Sequence, residues 1–138
     1  MIVLDTNVVS ELMLAEPEGQ VLRWLDRQPA PSIWISSITA YEIRYGLLAM
    51  PPGKKRSALM ARFERWLVDV VEQRIAFFDS SAAEKAAELA AERKRVGRLG
   101  DHRDTMIAGI VLANHATLAT RNVSHFEDIA KSVVNPWD

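Results

Sequence analysis

Met1-Ile2-Val3-Leu4-Asp5-Thr6-Asn7 is the stretch whose reading decides the fold. A short apolar run, of the kind buried on both faces of a parallel sheet, stops abruptly at an acid, a hydroxyl and an amide. In an open parallel sheet the ligand crevice lies beyond the carboxyl ends of the strands, near the point where strand order reverses. A first strand of this kind is expected near the centre of the sheet, with Asp5 at the crevice.

Outward from there the apolar period alternates between strand and helix. Val8 to Leu14 and Pro17 to Gln28 read as helices, and Ile33-Trp34-Ile35 as a strand whose following Ser36 or Ser37 caps a helix from Ile38 to about Met50. Pro51-Pro52-Gly53 ends that helix, and a further amphipathic one runs from Lys54 to about Val71. Ile75-Ala76-Phe77 is strand-like. Asp79, Ser80 or Ser81 then caps a long Ala/Glu/Lys-rich helix reaching about Val96, with Gly97 and Gly100 beyond it. A helix over His102 to Asn114, a strand over Thr117 to Thr120, a short helix from His125 to Ile129 and an edge strand at Val133-Val134 complete the pattern. Strands alternating with helices predict a three-layer α/β/α fold around a parallel sheet of four or five strands, with the whole of residues 1–138 as a single domain.

Composition narrows the chemistry. The chain has 138 residues, 49% hydrophobic and 25% charged, which is ordinary for a globular domain. Seventeen Lys and Arg against eighteen Asp and Glu leave a net charge of -1, so any polyanion contact must be local; Lys54-Lys55-Arg56 and the group Arg93, Lys94, Arg95, Arg98, Arg103 are the basic candidates. Without cysteine, neither disulfides nor thiolate metal sites can form. The apolar opening is too short for a signal peptide or a membrane span, and a cytoplasmic protein is expected.

Three acids are placed by this pattern on the carboxyl edge of the sheet. Asp5 ends the first strand. Glu42 lies in the helix after the second, with Ile38, Tyr41, Tyr45 and Gly46 a turn away, so it interrupts an apolar stripe. Asp104 heads the helix that runs back to the start of strand Thr117 to Thr120. Asn122, just past that strand, is the natural fourth oxygen ligand, and Thr6, Asn7, Thr120 and Arg121 are candidate substrate contacts. Each acid also has a structural reading: Asp5 as a helix cap, Glu42 as the partner of an arginine, Asp104 as an acid at a helix N-terminus. Carboxylates gathered together repel, and a divalent cation resolves the conflict. Hard oxygen ligands favour Mg²⁺ or Mn²⁺, and such a site supports phosphodiester hydrolysis. Asp101, three residues before Asp104, is the alternative acid from that helix. The separated histidines and tryptophans read as packing, His125-Phe126 beside the crevice among them.

With these residues in hand the chain resembles the PIN-domain family, in particular the VapC and FitB type toxins of bacterial toxin-antitoxin pairs. The similarity spans Ile2 to Glu11, Ile35-Ser36-Ser37-Ile38-Thr39 leading to Glu42 and Gly46, Asp104-Thr105-Met106-Ile107-Ala108, Ala119-Thr120-Arg121-Asn122 with His125-Phe126, and the ending Asn135-Pro136-Trp137. The resemblance implies a Mg²⁺- or Mn²⁺-dependent endoribonuclease with Asp5, Glu42 and Asp104 as metal ligands and Asn122 as the fourth catalytic position, where some relatives carry an aspartate. It also implies a homodimer, and an antitoxin partner that is a small DNA-binding protein inserting a segment, often with an arginine, near the acidic cluster. Two other readings stand beside it. A phosphatase of the aspartyl-phosphate kind would need an aspartate where Asn7 stands, and a PIN-like module would bind RNA or its antitoxin without cleaving.

Overall fold

The computed structural model describes residues 1–138. Five parallel strands form one sheet: β1 (Ile2–Leu4), β2 (Ile33–Ser36), β3 (Ile75–Ala76), β4 (Thr117–Ala119) and β5 (Val133–Val134), in the spatial order β3-β2-β1-β4-β5. The first strand is central, as expected. It pairs on one side with β2, Leu4 opposite Ile35, and on the other with β4, Leu4 opposite Ala119.

Helices α1 (Thr6–Leu12), α2 (Gly19–Asp26), α3 (Ser37–Leu48), α4 (Lys54–Asp69), α5 (Ser80–Arg95) and α6 (His102–Ala113) cover the sheet. Alternation along β1 divides the core between its two faces. Leu4 packs with Val8, Val9, Trp24, Phe63 and Leu67 of α1, α2 and α4, whereas Val3 packs with Ile107, Ala108 and Val111 of α6 and with Phe126. Three layers result. Side-chain caps set most helix starts: Asp5 accepts from the Thr6 N–H, Ser36 from Thr39, Asp79 from Ala82 and Asp101 from Arg103. The sixth helix therefore begins at an Asp101 cap, and Asp104 lies inside its first turn.

Two local expectations change. The first helix starts at Thr6, two residues before the apolar period, because Asp5 is its cap. The segment Val123–Ser132 is 3-10 in character, with non-helical backbone at Phe126 and Ile129, and these two side chains are the buried ones. A spacing of three places both side chains on one side of a 3-10 turn, where residues i and i+3 eclipse.

Helices α5 and α6 approach closely at Gly109, where a Cβ would stand 2.5 Å from the Ala82 carbonyl oxygen and 2.7 Å from the Ala86 Cβ. Ala favours a helix by about 1 kcal/mol over Gly, but overpacking against backbone costs about 1–3 kcal/mol and dominates. Gly109→Ala is therefore expected to lower the urea midpoint of unfolding; a raised midpoint would show that the two helices can part freely.

Candidate active site at the carboxyl edge of the sheet

Asp5 follows directly on β1 and is buried, 4% exposed. One carboxylate oxygen accepts from the Thr6 N–H at 2.8 Å, and the other from the Thr120 hydroxyl at 2.7 Å and the Asn7 amide at 3.2 Å. The end of β4 is thereby tied to the start of α1. Asn7 also accepts from the Arg121 N–H, and the Thr120 hydroxyl oxygen accepts from the Asn122 N–H. Burial pushes the Asp5 carboxyl above its usual range; its hydrogen bonds oppose that rise, and the charges of Asp104 and Glu42 add to it.

Glu42 is held on one oxygen by the Thr6 hydroxyl at 2.8 Å, itself next to the Thr39 hydroxyl at 3.0 Å. Its other oxygen lies 3.6 Å from the Arg103 guanidinium, which also pairs with Asp101 at 3.3 Å. Asp104 meets the His125 ring, Nδ1 to Oδ2 at 3.1 Å. Sequence reasoning left His125 to packing; the structure buries its neighbour Phe126 and turns the imidazole to the acid.

The other predicted positions separate. Asn122 has its backbone at the site, while its exposed side chain makes no hydrogen bond to any of the three acids. Arg121 stacks its guanidinium over Trp137, 4.9 Å from the ring centroid, in place of the salt bridge that is the usual alternative to phosphate binding. Asp101 is the cap of α6, held below its usual pKa by hydrogen bonds from the Arg103 side chain and backbone. Tyr41 and Tyr45, read as neighbours of Glu42 on an apolar stripe, are 59% and 62% exposed.

The basic group of α5 and α6 also divides. Arg93 is 3% exposed and grips both oxygens of Asp128 at 2.7 and 2.9 Å, the Thr105 hydroxyl at 2.9 Å and the His125 carbonyl at 3.2 Å. It is a structural bolt between α5, the start of α6 and the segment carrying His125, and it is no longer a candidate for polyanion binding. Arg95 pairs with Glu92, while Arg98 reaches the Ser124 carbonyl and Glu127.

The donor set suits a hard divalent cation: oxygen ligands, a buried acid whose pKa is raised, and two more acids close enough to act on it. No three Asp, Glu or His side chains are already gathered as an ion cage. Arg103 and His125 instead engage the outer oxygens of Glu42 and Asp104.

A PIN-domain family model matches residues 2–132. The chain belongs to the PIN-domain family. It is 41% identical over 138 residues to the VapC ribonuclease Y4jK of Sinorhizobium fredii, covering 100% of this chain and 99% of that protein. It is 34% identical to toxin FitB of Neisseria gonorrhoeae, covering 99% of each. Among solved structures, FitAB bound to an IR36 DNA fragment matches with a TM-score of 0.90 at 33% identity, over 100% of this chain and 96% of that one. The all-parallel sheet and three-layer architecture are thus those of PIN-domain structures.

The raised Asp5 pKa has a thermodynamic consequence in the metal-free protein. The folded state holds this proton more tightly than the unfolded chain, so the Asp5 contribution to stability falls as pH rises from the ordinary carboxylate range through the raised value. Urea midpoints measured across that range should decline for the parent protein relative to Asp5→Asn, which lacks the titration and stays cooperative. Parallel profiles would mean that Asp5 ionises in the folded protein as easily as in the unfolded one.

Proposed function

We propose that this PIN-domain protein is the toxin of a toxin-antitoxin pair and acts as a Mg²⁺- or Mn²⁺-dependent endoribonuclease, with Asp5, Glu42 and Asp104 holding the ion. The observation that carries this reading is the placement of Asp5, a buried carboxylate at the end of β1 fixed by Thr6, Asn7 and Thr120, whose pKa is raised first by burial and then by the charges of Asp104 and Glu42. Such an arrangement is unfavourable in the free protein and is relieved by a cation. When bound, the ion supplies Lewis acidity toward the phosphodiester and lowers the pKa of an attacking water.

The chain's own residues set up that chemistry. Thr120, Asn7 and the Thr6 N–H fix the Asp5 carboxylate, Thr6 and Thr39 orient Glu42, and His125 orients Asp104. Arg103, half exposed and paired with Glu42 and Asp101, is a cation suited to a substrate phosphate, and Arg121, stacked over Trp137, offers a second. Asn122 orients water or substrate from the rim.

An apolar groove of about 330 Å³, lined by Met13, Leu14, Leu47, Met50 and Phe63, opens beside Thr6 and Glu42. It supports the antitoxin part of the reading, since an amphipathic segment seated there would reach the acids. A homodimer, and a location in the cytoplasm, follow from the same family reading; no helix is long and apolar enough to cross a membrane.

The deciding experiment incubates purified protein, freed of partner, with pooled RNA in Mg²⁺ or Mn²⁺ and in chelator, beside Asp104→Asn. Cleavage is expected only with metal. The variant should lose about 100-fold or more, since even outer-shell partners of a metal ligand are worth 10–100-fold. RNA binding without cleavage by the parent protein would instead favour the non-cleaving module.

A further inference from the structure

The segment that carries His125 is anchored in the core by Phe126 and Ile129, but its 3-10 turns and non-helical backbone give it no α-helical ladder. Its polar side is held by the end of α5. Arg93 Nε and Nη2 take the two Asp128 oxygens at 2.7 and 2.9 Å, and Nη2 also donates to the His125 carbonyl at 3.2 Å. The remaining nitrogen, Nη1, donates to the Thr105 hydroxyl at 2.9 Å. Thr105 is the residue after Asp104 in α6 and passes its own proton to the Asp101 carbonyl at 3.1 Å. One rigid guanidinium plane therefore joins the residue beside Asp104 to the residue that faces Asp104. Gly100 closes over it, where a Cβ would stand 3.1 Å from Nη1. Arg93 also lines a polar cavity of about 240 Å³ together with Asp104, Ser124 and His125, so the ion pair and the acid border the same space.

We infer that Arg93, through its pair with Asp128, is a positioning residue for the acidic site: it fixes the His125 segment onto α6 so that the imidazole meets Asp104, Nδ1 to Oδ2 at 3.1 Å. This rests on the reading of Asp104 as a metal ligand and adds what holds that ligand's partner in place. Arg93 makes no hydrogen bond to Asp5, Glu42 or Asp104 and acts only through its neighbours. A lysine cannot replace it, because a single ammonium lacks the planar fork that reaches all three partners at once.

The test titrates Mn²⁺ into the metal-free full chain by calorimetry, with urea unfolding to verify that each variant folds cooperatively. Asp128→Asn and Arg93→Lys should each weaken Mn²⁺ binding about 10-fold, the lower end of what partners of a metal ligand contribute. With pooled RNA at saturating Mn²⁺, kcat should fall while KM changes little. In a His125→Ala background, Asp128→Asn should cost about 2-fold or less, because the arginine acts through that imidazole. Val71→Ala, which opens a cavity in the core on the other face of the sheet, should lower the urea midpoint and leave Mn²⁺ affinity unchanged. A lowered midpoint with parent-like affinity in Asp128→Asn would overturn the inference, leaving Arg93 a purely structural ion pair. Full additivity with His125→Ala, or equal weakening in Val71→Ala, would overturn it as well. Loss of cooperative unfolding in Asp128→Asn would do the same by making the pair a requirement of the fold itself. No Mn²⁺ binding by the parent protein would instead overturn the metal reading, and the inference with it.

Discussion

A carboxylate buried at the end of the central strand is the constraint on which the rest of the structure depends. Asp5 cannot reach bulk water, so its oxygens must be satisfied from within. The donors come from three sources: the first N–H of α1, the Thr120 hydroxyl past β4 and the Asn7 amide. Such convergence requires β1 and β4 to pair in one register, Leu4 opposite Ala119, since a one-residue slip would carry Thr120 to the other side of the sheet. Strand pairing and site assembly are in this sense a single event.

Charge compensation elsewhere in the site is graded by burial. Arg93 is enclosed, bidentate on Asp128 and hydrogen-bonded through all three of its guanidinium nitrogens; removing one partner would leave an uncompensated buried charge, so it serves structure. Arg103 meets Glu42 in half-exposed surroundings, where an ion pair contributes little and is readily exchanged. The same residue type thus acts as a fixed bolt on one side of α6 and as a movable counter-charge on the other. Each acid also fulfils its plain structural role: Asp5 caps α1, Glu42 faces an arginine and Asp104 sits in a helix's first turn. These roles are compatible with metal binding, because helix starts at the carboxyl edge of a parallel sheet are where acids both stabilise helices and face the crevice.

Much was legible in the linear chain. The strand-then-acid opening, the switches between periods of two and 3.6, and the Ser36, Asp79 and Gly97 punctuation placed the five strands and six α-helices to within a few residues, because each depends on neighbours close in sequence. The grouping of Asp5, Glu42 and Asp104 followed from the rule that parallel strands share a carboxyl edge. Tertiary contact decided the rest. That Arg93 is buried while Arg103 is half exposed, that His125 turns to Asp104 while Phe126 turns inward, and that Tyr41 and Tyr45 face solvent all depend on residues tens of positions away in the chain. A side chain's burial and partner are set by which surface packs against its element. No local pattern of apolar and charged residues contains that information.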